Sequence, residues 1–186
     1  MSISNKIIIF VLSIIFSLVA MFTYNNISEQ KKILEDNLEK KTKLLKDNLK
    51  QNALYTITNY GYEIENDITT MNFSHINILF EQLMKRDEIK GVSLINENSS
   101  VQMFAGMSYP RQVKKLLFEE KEDIIIVSLP IYITEYWGTL NIIYSLDKLN
   151  SEVKRAKKEI KKSVSKSIKE AIFTSLFFAF IFVVMT

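Results

Sequence analysis

Two long uncharged runs, one near each end of the 186-residue chain, constrain its fold more than any other feature. Residues 7–24 and 171–186 contain no Asp, Glu, Lys or Arg, and every charged residue except Lys6 lies between them. As an α-helix the first run is about 27 Å long, close to the hydrocarbon thickness of a bilayer. Because residues 21–24 are too bulky for a signal-peptidase site, the run predicts an uncleaved transmembrane helix, preceded by a cytoplasmic segment at residues 1–6.

The second run, residues 171–186, predicts a second transmembrane helix. No polar residue follows it, so we expect this span to be truncated and the chain to be the N-terminal part of a longer protein. A natural C-terminal tail anchor is the alternative interpretation.

Between the two runs, the first segment has the periodicity of one long helix, predicted over residues 25–72. Its apolar residues recur at three- and four-residue steps, and most other positions are charged or polar. A stripe this narrow is typical of helix pairing, so we expect a parallel homodimer. The predicted dimer seam consists of Leu34, Leu38, Leu45 and Leu49.

The following segment, residues 73–146, has the pattern of a small α+β core. One helix is predicted from Ser74, as N-cap, towards Gly91, and a short second helix is predicted over residues 111–119. Runs rich in β-branched residues predict two antiparallel hairpins, 92–96 with 101–105 and 124–133 with 137–144.

The helical period returns after this core. A helix capped by Ser145 or Asp147 should link the core, over residues 147–170, to the second span without interruption. The predicted fold class is therefore α+β, with a small antiparallel sheet and a long N-terminal helix between two transmembrane helices.

Two segments carry a resemblance to a known family. One is Val127-Ser128-Leu129-Pro130-Ile131-Tyr132, followed by Trp137-Gly138-Thr139-Leu140 and Tyr144-Ser145-Leu146-Asp147-Lys148-Leu149; the other is Ile89-Lys90-Gly91-Val92. With the order of elements, they resemble the single-Cache (PDC-type, PAS-like) sensor domains of bacterial chemoreceptors, histidine kinases and diguanylate cyclases. The resemblance covers roughly residues 28–170 and implies a PAS-like extracytoplasmic sensor.

The chain departs from that family in its first hairpin turn. Asn96 and Ser99-Ser100 stand where the family often has Asp and Gly. No match to the amino-acid-binding signature of the family is present, so the resemblance implies no particular ligand.

Residue types needed for several kinds of chemistry are missing from the sequence. There is no Cys, and His75 is the only His, which leaves no basis for thiolate sites or His clusters. No phosphate-binding glycine loop, metal-spaced cluster or nucleophile motif occurs, so we expect no enzyme activity, metal or cofactor in this stretch. The net charge of +3 is too small to suggest nucleic-acid binding.

One face of the predicted sheet is the candidate ligand site. Strand alternation separates a more polar face from an apolar one in both strands of the second hairpin. Small-molecule sites combine apolar area with a few polar groups, and a carboxylate ligand needs a donor such as Arg. We predict a pocket for a small-molecule ligand, with anions as one candidate class, formed by Tyr109, Arg111, Ser128, Tyr132, Trp137 and Asn141. Core or surface packing is the alternative role for the two aromatic strand residues.

Two functions are open on this basis. The first is extracytoplasmic small-molecule sensing at the bacterial inner (cell) membrane, with signal transduction across it to a C-terminal output module beyond residue 186. The second is a membrane-tethered structural or assembly protein that dimerises through its long helices. The resemblance favours the first, whereas the lysine-rich stretch 154–162 favours a cytoplasmic middle segment.

Overall fold

The computed structural model describes residues 3–98 and 101–185. In chain order its elements are α1 (Ile3–Thr69), α2 (Phe73–Met84), β1 (Ile89–Asn96), β2 (Val101–Gly106), β3 (Leu117–Glu120), β4 (Ile124–Tyr132), β5 (Tyr136–Ser145) and α3 (Asp147–Met185). The predicted α+β class, with its long N-terminal helix and small antiparallel sheet, is confirmed.

The polypeptide forms two compact units. Met1–Thr42 with Glu152–Thr186 make up one, called the helical unit below, and Lys43–Ser151 make up the other, called the sheet unit. Each of the two long helices contributes residues to both units.

Apolar side chains of the helical unit are exposed along the first part of α1, as Phe10 and Phe22 illustrate at 67% and 69%. By length and composition, α1 from Ile7 onward is the one helix among the described residues that could cross a membrane. A signal sequence near an N-terminus has the same length and composition. The second predicted span is helical up to Met185, and its last residue, Thr186, lies outside the described residues.

The sheet unit is built on five antiparallel strands in the order β2-β1-β5-β4-β3. Both predicted hairpins are confirmed, since β1 pairs with β2 and β4 pairs with β5. The last strand, β5, lies at the centre between β1 and β4. Its position places the strand that leads into α3 in the middle of the sheet.

One face of the sheet packs against helices. The C-terminal part of α1 and all of α2 each present an apolar stripe to it, and the inward side chains of β1, β4 and β5 complete the core. The core consists of buried aliphatic side chains and two aromatic ones, namely Ala53, Ile57, Ile64, Ile76, Leu79, Phe80, Leu83, Val92, Leu94, Ile125, Val127, Ile131, Leu140, Ile142 and Tyr144. Because this face is covered by the two helices and forms the hydrophobic core, the candidate site is sought on the opposite face.

The helix predicted over residues 111–119 is wrong. Residues 107–116 have no regular secondary structure, and β3 follows them as the edge partner of β4. Pairing satisfies the outer N–H and C=O groups of β4, and Phe118 packs against the core at the same time. These tertiary gains outweigh the helix propensity of a segment rich in Lys and Leu.

Three helix boundaries differ from the prediction. The long helix ends at Thr69, before Met71 adopts a left-handed backbone with φ 58°. The next helix begins at Phe73, with Asn72 and not Ser74 at its N-cap position, and ends at Met84.

The cap of α3 is confirmed for Ser145, whose hydroxyl accepts a hydrogen bond of 3.1 Å from the backbone N–H of Asp147.

Candidate functional site

The face of the sheet away from the helices carries a row of buried polar side chains. Asn141 on β5 lies directly opposite Ser93 on β1 and Ser128 on β4, so the three point to the same side. None of them is more than 1% exposed. The Ser128 hydroxyl donates to Asn141 Oδ1 at 2.6 Å. Thr139, two residues along β5 on the same side, is also fully buried.

Residues 107–116, called the strap below, cross this face and cover it. Asn141 Nδ2 donates to the carbonyl of Arg111 at 3.2 Å, and the N–H of Val113 donates to Thr139 Oγ1 at 3.0 Å. The Tyr132 hydroxyl donates to the carbonyl of Lys114 at 3.1 Å. Because the strap has no regular structure, these side-chain contacts satisfy backbone groups that a helix or strand would pair internally.

A charged cluster ties the strap to β3. Arg111 forms an ion pair with Glu119, and the Tyr109 hydroxyl donates to the same carboxylate at 3.1 Å. Lys121 Nζ lies 3.7 Å from that carboxylate and 4.6 Å from the centre of the Tyr109 ring. Arg111 and Lys121 thus share one carboxylate, so the cluster has a net charge of +1. Such a cluster can bind an anion.

The buried hydroxyl of Ser93 lacks a hydrogen-bond partner in the part of the chain that the structure describes. Its side chain is 0% exposed, so bulk water does not reach it. A buried hydroxyl without a partner destabilises the fold by about 1–3 kcal/mol. A bound water or a polar group of a ligand could therefore form the missing hydrogen bond to Ser93.

Four of the six predicted pocket residues meet where the strap contacts the sheet. Tyr109 and Arg111 come from the strap, and Ser128 and Asn141 come from the strands beneath it. The other two predicted residues are not part of this group of four. Tyr132 is 46% exposed and contacts the strap through its hydroxyl. Trp137 is half-buried and packs against the helix-side core, next to a register shift that interrupts strand alternation.

Ser93 and Glu119 are the site residues that the sequence did not single out. Ser93 lies between Val92 and Leu94 in an apolar strand. A single hydroxyl in such a strand is the sequence feature that could have identified it as a site residue. No sequence feature identified Glu119 as a site residue, because the pattern of residues 111–119 indicated a helix.

An ion cluster connects the candidate site to the long helix. Lys46 and Lys50 on α1 both pair with Glu120, the last residue of β3, the second at 3.2 Å. The hydrogen bond from Lys46 lowers the pKa of Glu120, against a smaller opposing effect of desolvation. The strand that follows the strap is thereby held to α1.

The predicted dimer-seam leucines lie in different environments. Leu34 and Leu45 are 41% and 37% exposed, and Leu38 is half-buried. Leu49 packs against the core of the sheet unit.

The helical unit has a groove of its own, with a volume of about 280 Å³, between α1 and α3. It is lined almost entirely by apolar side chains such as Phe16, Ile168 and Leu176. Its one threonine, Thr23, already donates to the carbonyl of Val19 at 2.8 Å. The groove therefore has few groups that could orient a polar ligand.

No group of three or more His, Asp or Glu side chains that could hold a metal ion occurs among the described residues. Comparison with known proteins adds no assignment: no protein-family model matches this chain, and no curated protein sequence matches it.

Proposed function

We propose that this chain is the sensor part of a bacterial membrane receptor and that it binds a small anionic molecule on the strap-covered face of the sheet. The observation that carries the proposal is the buried polar row with the unpaired Ser93 hydroxyl beneath a strap held by side chains. A face that served packing alone would be stabilised more by apolar residues, because buried polar groups lose their hydration.

The family resemblance supports this proposal. A PAS-like sensor is expected to pack one sheet face on its long helix and to leave the other for a ligand. The sheet unit has helices on one face and the polar row on the other. A PAS-like assignment of the sheet unit, placed between two membrane spans, is therefore part of the proposal.

Arg111 and Glu119 supply the switching contact. An anion that binds Arg111 competes with Glu119 for the guanidinium and weakens the attachment of the strap to β3. With an exposed fraction of 44%, the Arg111 side chain is accessible to such a competitor. Release of Arg111 also perturbs its carbonyl, which accepts the hydrogen bond from Asn141 on β5.

The path from the site to the membrane is short in sequence. β5 ends at Ser145, and α3 begins at Asp147 and continues to Met185. Movement of the central strand thus acts directly on the start of the helix that leads to the second span. Binding can shift such an equilibrium by no more than the ligand's differential affinity, typically about 1–3 kcal/mol.

In this proposal the sheet unit lies outside the cytoplasm and residues 1–6 lie inside. The lysine-rich start of α3 argues for the reverse orientation, although long loops follow the charge rule poorly. A cysteine introduced at Glu97 should react with a membrane-impermeant maleimide in intact cells. Labelling only after lysis would contradict the orientation and leave ligand binding to be judged separately.

Thermal unfolding of the full chain in detergent micelles tests ligand binding. Trp137 is the only tryptophan, so its fluorescence reports on the sheet unit. Among metabolites grouped by charge, an anionic class should raise the melting temperature. Arg111→Ala should abolish that shift, and Glu119→Gln should increase it, because it removes the internal competitor.

Lys115→Ala is the matched control, since Lys115 is an exposed strap residue with no ion pair among the described residues. It should respond like the parent. If Arg111→Ala and Lys115→Ala both keep the full shift, the pocket lies elsewhere. If no metabolite shifts the parent, a structural role is favoured.

A structural or assembly role remains the second candidate, and one observation favours it. Residues 51–62 of α1 carry no charge, although the helix is rich in charges before and after them. Tyr55 and Tyr62 on this stretch are 72% and 76% exposed. Depletion of charge together with exposed tyrosines is typical of protein interfaces.

A further inference from the structure

The start of α3 carries a dense and one-sided positive charge. Residues 152–170 contain eight basic and three acidic residues, a net charge of +5. The segment 25–42 of α1, in the same unit, contains four of each. The imbalance therefore belongs to α3 and not to the helical unit as a whole.

The basic residues lie on the exposed side of α3. Its half-buried positions at 153, 156, 160, 164 and 167 recur at three- and four-residue steps and mark the side that packs. The basic side chains are all exposed and mostly cover the remaining circumference. Only Arg155 and Lys166 pair with an acidic residue in the described structure, at 3.4 Å to Glu159 and 3.6 Å to Glu170. The other six cations make no ion pair with a carboxylate among the residues that the structure describes.

We propose that this basic side of α3 binds the headgroups of anionic phospholipids. The inference rests on the proposed function in one respect, namely that the helix enters the bilayer at about Ala171. Lys169 then lies about 3 Å and Lys161 about 15 Å from the hydrocarbon boundary along the helix axis. The headgroup layer is about 5–8 Å deep, and the Debye length at physiological ionic strength is about 8 Å.

These distances place Lys161, Lys162, Lys166 and Lys169 in the headgroup layer or within about one Debye length of it. Juxtamembrane lysine clusters at this depth attract anionic lipids. The long lysine side chains can also extend along the helix towards the phosphates. The contact is independent of which leaflet faces the sheet unit, provided that leaflet contains anionic lipid.

Energy transfer in vesicles tests the contact. The chain has no cysteine, so a dye on Ser165→Cys reports from the centre of the basic side. The full chain is reconstituted in phosphatidylcholine vesicles containing phosphatidylglycerol, with a trace of either lipid labelled on its acyl chain. Transfer to labelled phosphatidylglycerol should exceed transfer to labelled phosphatidylcholine by at least about twofold at low salt. The ratio should approach one as salt rises from about 0.01 M to about 1 M.

Two charge-neutralised variants separate specific from general effects. Lys→Gln at 161, 162, 166 and 169 should bring the ratio close to one, and Lys→Gln at 31, 32, 40 and 41 on α1 should leave it unchanged. A ratio of one in the parent, or equal losses in both variants, would overturn the proposal. If neither lipid receives energy, α3 does not enter the bilayer, and the membrane part of the proposed function fails with it.

Discussion

Gly138 and Gly61 show how differently two glycines of one chain can be constrained. A side chain at Gly138 would place its Cβ 2.0 Å from the backbone oxygen of Ile95 on the neighbouring strand. A side chain at Gly61 on α1 would instead meet the end of the Leu129 side chain, 2.3 Å from its Cδ2. Backbone cannot move aside without breaking the β1–β5 ladder, whereas a leucine can change rotamer.

We therefore expect Gly138→Ala to destabilise the sheet unit by about 3 kcal/mol, at the upper end of overpacking effects. Gly61→Ala should change stability by less than about 1 kcal/mol, because the gain in helix propensity offsets the repacking of Leu129. Denaturant unfolding of the two variants measures the difference. Equal losses would show that the long helix approaches the sheet as rigidly as β1 approaches β5.

Tyr144 presents a second test of a single residue. Its ring is 1% exposed in the core, and its hydroxyl lies near that of Thr56 without a hydrogen bond of good geometry in the described structure. Burial raises the pKa of Tyr144 above its ordinary value of 10.0, with a smaller opposing contribution from the nearby Thr56 hydroxyl. The fold therefore favours the neutral phenol, and this contribution is complete below pH 10 and lost as pH rises through the raised pKa.

Tyr144→Phe should be neutral or stabilising by up to about 1 kcal/mol at pH 7, because it removes a buried unpaired hydroxyl. Above pH 10 the variant should lose less stability than the parent. Tyr55→Phe, at a tyrosine that is 72% exposed, is the control and should follow the parent. Identical alkaline profiles for all three proteins would mean that the Tyr144 phenolate is not disfavoured in the fold.

Among the elements, the sequence identifies both hairpins and the long helices but not the strap or β3. The hairpins are encoded locally, by runs of β-branched residues on either side of short turns. The strap depends on partners more distant in sequence, since its contacts are with Thr139, Asn141 and Tyr132 on two other strands. A local pattern of Lys and Leu at residues 114–117 is compatible with a helix until the edge of β4 is available for pairing.

Attachment of β3 to α1 has a pH dependence whose sign follows from Glu120. The hydrogen bond from Lys46 lowers its pKa below the ordinary 4.5, so the charged form is favoured by the fold. The stabilisation is present above pH 4.5 and is lost as pH falls through the lowered pKa. Because the Glu120 side chain is 36% exposed, the pairs are worth no more than about 1 kcal/mol.

Glu120→Gln should therefore destabilise the sheet unit by up to about 1 kcal/mol at pH 7, and the difference from the parent should vanish well below pH 4.5. Urea unfolding across pH measures it. Glu122→Gln is the control, since Glu122 makes no ion pair among the described residues and should show no such convergence. A loss that persists unchanged in acid would assign the effect to packing and not to charge.

At the scale of the whole molecule, part of the candidate site was predictable and part was not. Strand alternation identified Ser128 and Asn141 as site residues. Tyr109 and Arg111 were predicted from their position in the segment before the second hairpin. Ser93 joins them only because β1 pairs with β5 across more than forty residues, between positions 93 and 141. Trp137 appeared to share their face, but a register shift next to it ends the regular alternation.

The proposed dimer can be located more sharply with the structure than with the leucine pattern. Leu49 packs against the core of the sheet unit and offers less to a second copy. Leu44, Tyr55 and Tyr62 are 60%, 72% and 76% exposed, and their spacings of 11 and 7 residues place them on one side of α1. That side is opposite to the stripe that packs on the sheet.

In the proposed membrane-anchored state, we expect two copies to pair in parallel through this outward side. A cysteine at Tyr62 should then form disulfide-linked dimers several-fold faster than one at Glu63, which is also exposed but lies about 100° further around the helix. A cysteine at Leu38 or Leu45 tests the leucine seam in the same assay. Faster crosslinking there than at Tyr62 would place the contact on the leucines, and equal rates at Tyr62, Glu63 and both leucines would exclude a specific helix pair.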